Sequence, residues 1–235
     1  MYKQIILILI LGWSALLAQD LMIAAGAGYK KPMMEIINNY KRAGHRVDAI
    51  FGNMGQISNQ ARESDIALLI GDKKFLEKKS RLKFQEYLLV GVGKVVLAYS
   101  KQVTLKNPYH LANSHIKKIA MPQPKKAIYG IAGQEFLDHT QQYKSIKEKL
   151  FVVATVPQVM SYVARSEVDV GIVNLTAALA FQHKIGGYII VNQKDYTKIE
   201  IVAGVLKGRK SKACRDFLSY LQTPESKAVF RKYGL

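Results

Sequence analysis

Short apolar runs alternate with segments of helical periodicity along most of this chain. Runs near 20–24, 46–51 and 65–70 are rich in aliphatic and small residues, whereas the segments 31–42 and 55–62 repeat apolar residues every three to four positions. The first pattern predicts buried strands and the second predicts amphipathic helices. Their alternation indicates a parallel sheet covered by helices.

A second series of the same kind occupies the later part of the chain. It predicts strands at 118–121, 151–154, 168–173 and 188–191, and helices at 126–140, 157–165 and from Leu175 onward. The segment 211–235 has the apolar spacing of two further helices. Two βα series in one chain predict two lobes.

Two β-rich segments connect the series. Glu86–Ser100 is too long for one short strand, and Ile199–Leu206 has a similar composition. We expect both to cross between the lobes as a two-strand hinge. The predicted fold class is therefore α/β, with two doubly wound βα lobes around a cleft. Lobe 1 is expected to comprise 19–97 plus 201–235, and lobe 2 is expected to comprise 98–200.

The N-terminus has the pattern of a secretory signal peptide over residues 1–18. Lys3 precedes an apolar run, which small residues follow up to Ala18. We expect cleavage near Ala18 and export to a bacterial periplasm. An uncleaved N-terminal anchor is the alternative. We expect no lipoprotein, because Cys214, the single cysteine in the sequence, cannot become the lipidated N-terminal residue.

The formal net charge of +18 first suggests a nucleic-acid partner. The lysines, however, form scattered pairs such as Lys30–Lys31, Lys78–Lys79 and Lys125–Lys126. Scattered pairs are typical of solvated helix faces, which attract anions over long distances. Because no nucleic-acid-binding motif accompanies them, we expect no nucleic-acid partner.

Catalytic signatures are absent from the sequence. The five histidines are dispersed, no helical zinc motif or nucleophile elbow occurs, and Cys214 has helical spacing with apolar neighbours and no evident base. We therefore predict no enzyme activity, no catalytic residue and no metal site.

Five strand-to-helix junctions carry candidate anion-binding chemistry, and they lie at 26–30, 51–57, 121–130, 154–158 and 173–176. In the first, Gly26 and Gly28 are expected to allow a tight turn that leaves backbone N–H groups uncovered, while Pro32 presets the helix that follows. Since such junctions gather at the carboxyl ends of strands, all five are expected to line the cleft.

Several of these segments resemble one known family over essentially the whole mature chain. The resemblance rests on Ala24-Ala25-Gly26-Ala27-Gly28, on Ala127–Gly130, on Val168–Val173 and on the closing stretch Phe217–Gly234. The chain resembles the molybdate-binding proteins of bacterial ABC importers, which have the periplasmic type II substrate-binding fold. The resemblance implies a periplasmic receptor, expected to be a monomer without a cofactor. Such a receptor captures a tetrahedral oxyanion such as molybdate or tungstate and delivers it to a membrane ABC permease.

The family holds its oxyanion with hydroxyls and backbone amides, and three hydroxyl positions differ here. The family serines fall at Gly28 and near Met54, and the family tyrosine falls at Asn174. The amide positions near Ala127 and Val156 are retained. Hydrogen bonds to a charged group contribute roughly 1.5–3 kcal/mol each, so other donors must replace the missing hydroxyls.

The resemblance and the junctions together predict a set of ligand-binding residues. These are Gly26, Ala27, Gly28, Tyr29, Asn53, Met54, Gly55, Lys126, Ala127, Val156 and Asn174. Replacement donors could be Tyr29, Asn53, Gln56, Asn174 and Thr176, or the cations Lys30 and Lys126.

Simpler interpretations remain open for the same positions. Asn53 and Asn174 could serve only as helix caps, Tyr29 and Tyr129 could pack at the cleft edge, and Met54 could fill a gap. The altered hydroxyl positions also leave open a receptor for sulfate, phosphate or a citrate-like organic acid. A different class of alternative is a secreted adhesin or antigen that retains the fold.

Overall fold

The computed structural model describes residues 21–235, so the predicted signal peptide at 1–18 lies outside the described residues. Two five-stranded sheets with helices packed on them form the molecule. Within the described range, no helix is both long and apolar enough to cross a membrane. The predicted α/β class with two βα units is therefore confirmed.

The first sheet contains, in spatial order, β2 (Val47–Gly52), β1 (Leu21–Gly26), β3 (Leu68–Asp72), β10 (Ile199–Leu206) and β4 (Phe84–Gly93). Strand β1 is parallel to β2 and β3, whereas β10 is antiparallel to β3 and β4. The predicted return of the chain to the first sheet at 199–206 is confirmed.

The second sheet contains, in spatial order, β7 (Leu150–Val153), β6 (Ile119–Pro122), β8 (Val170–Asn174), β5 (Val95–Tyr99) and β9 (Gly187–Ile190). Strand β6 is parallel to β7 and β8, and β5 is antiparallel to β8 and β9. Both sheets are therefore mixed. The predicted parallel pairing holds for three strands of each sheet, and the two remaining strands of each sheet add antiparallel pairs at one side.

Helices follow the strands closely in sequence. They are α1 (Lys30–Arg42), α2 (Met54–Glu63), α3 (Lys73–Lys78), α4 (Ile128–His139), α5 (Tyr143–Ile146), α6 (Val156–Ala164), α7 (Leu175–Ala180), α8 (Lys212–Leu221) and α9 (Pro224–Lys232). Short 3₁₀ turns occupy Ala27–Tyr29, Lys147–Lys149 and Gln193–Asp195. On α8, Cys214 is buried together with Phe217, as its helical spacing predicts.

The chain passes from the first sheet to the second at Lys94, between β4 and β5. All of β5 pairs in the second sheet, and β10 pairs with the first sheet from Ile199 onward. The predicted lobe limits at 97 and 201 stay a prediction. A close approach marks this crossing: a Cβ atom at Gly93 would lie 2.1 Å from the hydroxyl of Tyr129, so no larger residue fits there.

Candidate functional site

Four of the five predicted junctions meet around a small cavity between the two sheets, which we call the inner cavity. Its lining residues are Gly26, Ala27, Gly28, Tyr29, Gly52, Asn53, Met54, Ala127, Ile128, Tyr129, Thr155 and Val156. It encloses about 20 Å³, which is room for about one water molecule. None of its lining side chains carries a charge.

Side-chain caps build two of these junctions. Asn53 caps α2: its Oδ1 accepts from the Gln56 backbone N–H at 2.9 Å, and the Gln56 side chain accepts from the Asn53 N–H at 3.1 Å. Thr155 and Gln158 form the same reciprocal arrangement on α6, with Pro157 in the first turn. The capping interpretation of Asn53 is confirmed, and Thr155 caps α6 in the same way. Such caps fix where each helix begins.

Backbone N–H groups in the first turns of α2, α4 and α6 have no hydrogen-bond acceptor among residues 21–235, namely those of Met54, Gly55, Ile128, Tyr129 and Val156. Unpaired first-turn amides and the positive end of the helix dipole favour a bound anion. Here three helix starts, one on the first sheet and two on the second, approach one cavity.

The start of α4 differs in one respect from the sequence expectation. The Ala127 N–H donates to the Gln123 carbonyl at 3.0 Å. The unpaired donors of this helix are therefore the next two amides, those of Ile128 and Tyr129. Sequence reasoning missed Ile128, because nothing in the local pattern signals the turn that occupies the Ala127 amide.

Two buried tyrosines join the sheets at the edge of the inner cavity. The hydroxyls of Tyr29 and Tyr129 lie 2.7 Å apart, and the side chains are only 1% and 2% exposed. Burial raises the pKa of both phenols above the ordinary value, and for Tyr29 the neighbouring Tyr129 raises the pKa further. Both hydroxyls therefore stay neutral at physiological pH, and each can donate a hydrogen bond.

Asn174 lies behind the cavity wall and is fully buried. Its Oδ1 accepts from the Ala177 N–H at 3.3 Å, which caps α7, and its Nδ2 donates to the Gly28 carbonyl at 3.2 Å. The capping interpretation is thus confirmed, and the same side chain also bridges the sheets. A direct contact of Asn174 with ligand stays a prediction.

The two glycines of the first junction allow neighbouring side chains to approach the backbone closely. A Cβ atom at Gly28 would lie 3.1 Å from Asn174 Nδ2, and one at Gly26 would lie 3.3 Å from the Tyr29 ring. Neither glycine has a positive φ angle. The expected tight turn does form, as a 3₁₀ turn at Ala27–Tyr29, but it needs no positive φ angle, so glycine is favoured here by the close neighbouring side chains.

The lysines that follow this junction lie away from the inner cavity. Lys31 donates to the Ala180 carbonyl at 3.1 Å and lies 4.9 Å from the centre of the Phe181 ring. Lys30 is 5.9 Å from the centre of the Phe51 ring. Both line another, mostly apolar groove together with Thr176, and this groove adjoins the inner cavity at Ala27 and Gly28. Lys31 is therefore another link between the two halves of the molecule.

A much larger space, which we call the outer groove, adjoins the inner cavity at Asn53. It encloses about 800 Å³ and is lined by Asn53, Gly55, Gln56, Asn59, Arg62, Phe75, Lys79, Arg81, Gln123, Lys125, Lys126, Val152, Val153 and Ala154. Two of the predicted site residues, Gly55 and Lys126, line this groove and not the inner cavity.

The predicted residues thus fall into three groups. Those on the inner cavity are Gly26, Ala27, Gly28, Tyr29, Asn53, Met54, Ala127 and Val156. Those on the outer groove are Asn53, Gly55 and Lys126, and Asn174 supports the wall from behind. Within residues 21–235, no three His, Cys, Asp or Glu side chains are grouped so that they could hold a metal ion.

Comparisons with known proteins agree with this architecture. The sequence matches the family described as bacterial extracellular solute-binding protein over residues 21–235. The molybdate-binding protein ModA of Rhodobacter capsulatus is 27% identical, over 92% of this chain and 88% of that protein.

Two solved structures illustrate the shared fold. The periplasmic molybdate-binding protein of Azotobacter vinelandii aligns with a TM-score of 0.81 at 23% identity, over 92% of this chain and 98% of that one. PEB3 bound to L-phospholactate aligns with a TM-score of 0.73 at 18% identity, with the same coverage. The predicted periplasmic binding protein fold is confirmed.

Proposed function

The chain belongs to the bacterial extracellular solute-binding proteins, and we propose that it captures a tetrahedral oxyanion of the molybdate or tungstate kind in the inner cavity. The observation that carries this proposal is the convergence of unpaired first-turn amides from α2, α4 and α6 on one uncharged cavity. Fixed amide dipoles stabilise an anion without the need to bring in a competing cation. The molybdate-binding relatives support the choice of ligand.

Binding requires the two lobes to move relative to one another. We propose that lobe 1 (19–97 plus 201–235) and lobe 2 (98–200) rotate about the chain crossing near Lys94. The inner cavity has room for about one water molecule, so an oxyanion enters only when the lobes part. A ligand that contacts both lobes favours the closed state by its differential affinity for that state. We propose that a membrane ABC permease recognises this closed form.

The three altered hydroxyl positions have replacements around the cavity. The hydroxyls of Tyr29 and Tyr129 are hydrogen-bonded to each other, and each could instead donate to an anion. The Nδ2 of Asn53 is a further donor at the start of α2. Each donor to a charged oxygen contributes roughly 1.5–3 kcal/mol. These groups support oxyanion capture by a different donor set from the one that the resemblance implies.

The remaining parts of the proposal follow from the family. We propose a periplasmic, monomeric protein without enzymatic activity, cofactor or nucleic-acid partner. A second candidate is a receptor for another anion or a small organic acid, including sulfate, phosphate and citrate. The replaced hydroxyls favour this candidate, as does the L-phospholactate complex of PEB3.

Calorimetric titration of the purified protein with molybdate, tungstate, sulfate, phosphate and citrate, at constant ionic strength, tests the proposal. We expect a saturable heat and a raised melting temperature with molybdate or tungstate. Binding of citrate alone would select the second candidate. If none of the five anions gave heat or a thermal shift, oxyanion capture would be wrong, and a secreted adhesin or antigen that retains the fold would be favoured.

A further inference from the structure

The outer groove combines five cationic side chains with no acidic one. Arg62, Lys79 and Arg81 line it from the elements of the first sheet, and Lys125 and Lys126 line it from those of the second. Among residues 21–235, no carboxylate forms an ion pair with any of the five. Elsewhere on the surface several lysines do have acidic partners, such as Lys41 with Asp48 and Lys232 with Glu35. The groove is therefore a concentrated region of uncompensated positive charge between the lobes.

Neutral hydrogen-bond donors accompany these cations. The Oε1 of Gln56 is occupied by the α2 cap, and that of Gln123 accepts from the Lys125 N–H at 3.4 Å. The Nε2 groups of both side chains are therefore left as donors. Asn59 also lines the groove, and no described residue bonds its side chain. Arg81 is held there in a left-handed backbone conformation, with φ at 59°, which is unfavourable for a residue with a side chain.

The outer groove and the inner cavity adjoin one another at Asn53. Asn53 lines both spaces, and Lys126 of the groove directly precedes Ala127 of the cavity. The Lys126 stem passes close to Gly55, since a Cβ atom built at Gly55 would lie 3.8 Å from it. A ligand with one group in the cavity can therefore extend into the groove without leaving the cleft.

The outer groove is far larger than a single tetrahedral oxyanion needs. The cavity encloses about 20 Å³ and the groove about 800 Å³. A volume of roughly 300–1,000 Å³ is typical of pockets for small organic molecules. Cations from both lobes face this volume, so a second negative group lying there would also contribute to closure.

We propose that the outer groove is a second anion subsite, and that the ligand is a small organic anion with two separated acidic groups. One acidic group occupies the inner cavity against the helix amides, and the other lies among the groove cations. This inference rests on the proposed function, because the cavity still binds a tetrahedral oxyanion group, here one end of the ligand, and it deepens the second candidate, a small organic acid.

Titrations with a graded series of two-headed anions test this subsite. Inorganic phosphate and molybdate provide single-headed probes, and phosphonoacetate, 3-phosphonopropionate and 4-phosphonobutyrate place a carboxylate at increasing distance from a phosphonate. At constant ionic strength, we expect at least one phosphonocarboxylate to bind tenfold or more tightly than phosphate. The double variant K79Q/K125Q, which removes one groove cation from each lobe, is expected to lose that advantage and to leave phosphate affinity within about twofold.

A matched control separates the subsite from general charge. K101Q/K144Q removes two exposed lysines outside the groove and changes the net charge equally, so it should keep the full preference. The inference is overturned if phosphate or molybdate binds as tightly as every phosphonocarboxylate, or if K79Q/K125Q weakens all anions by the same factor. Binding of molybdate without any two-headed preference overturns the subsite alone, whereas no binding of any probe overturns the proposed function as well.

Discussion

The inner cavity and the outer groove lie side by side in the same cleft but differ in size and in charge. The cavity is small, uncharged and lined by capped helix starts and two buried phenols. The groove is large, exposed and cationic. Fixed amides can select an anion by geometry because they lose little entropy on binding, whereas mobile surface cations mainly attract it. We therefore expect the cavity to select one acidic group by geometry, and the groove cations to attract and hold a second one.

Removal of one cavity amide should have the largest effect. Val156 is the first residue of α6, where proline is tolerated, and Thr155 before it is already extended (φ −139°, ψ 157°). V156P should weaken binding of the proposed oxyanion by roughly 10- to 100-fold, since a charge-assisted hydrogen bond is lost. Calorimetry measures the loss. V156A, which keeps the N–H, should bind nearly as the parent protein does; equal weakening in both variants would assign the effect to the side chain.

Loss of the Asn174 bridge should be the next largest effect. Asn174→Ala removes the bond to the Gly28 carbonyl and the α7 cap, and we expect affinity to fall more than tenfold. Asn174→Ser retains a capping oxygen but is too short to hold Gly28. Both variants should therefore bind weakly in the same titration. If N174S bound as the parent protein does, Asn174 would act only as a cap.

The tyrosine pair should have a moderate effect on binding. Tyr129→Phe removes one partner of the 2.7 Å contact with Tyr29 and one neutral donor beside the cavity. A net loss of about 0.5–1.5 kcal/mol corresponds to roughly a two- to tenfold lower affinity. Titrations at pH 7 of the parent protein and Y129F measure this. Unchanged affinity would show that the pair only packs.

The buried tyrosine pair should also lower the stability of the protein at alkaline pH. Because burial raises the pKa of both phenols in the folded protein, their contribution to stability is complete below about pH 10, the ordinary tyrosine value. It is lost as the pH rises through the folded values. Denaturant unfolding should therefore show a steeper loss of stability above pH 10 in the parent protein than in Y29F/Y129F. Equal slopes would contradict the buried, neutral pair.

A single groove cation should matter least for a single-headed anion. Lys125→Gln is expected to weaken molybdate or tungstate binding by less than about twofold at physiological salt, because exposed charges are screened. The difference should grow as the salt concentration is lowered. A tenfold loss that does not depend on salt would place Lys125 in direct contact with the oxyanion.

The sequence predicted the fold and the helix starts of this cleft well. Periodicity identified the alternating elements, and the caps at Asn53 and Thr155 follow from local chemistry that a sequence displays. The mixed sheets were missed, because the direction in which β5 or β10 pairs is not encoded in local periodicity. The Tyr29–Tyr129 hydrogen bond joins positions 100 residues apart, so local sequence patterns could not predict it.

A crystal structure of the complex with tungstate, whose strong scattering marks its position, would locate the bound oxyanion. We expect tungsten in the inner cavity. Its oxygens should lie within about 2.7–3.2 Å of amide nitrogens from α2 and from α4 or α6. Tungstate bound only in the outer groove, or held by one lobe alone, would show that the helix amides do not capture the oxyanion.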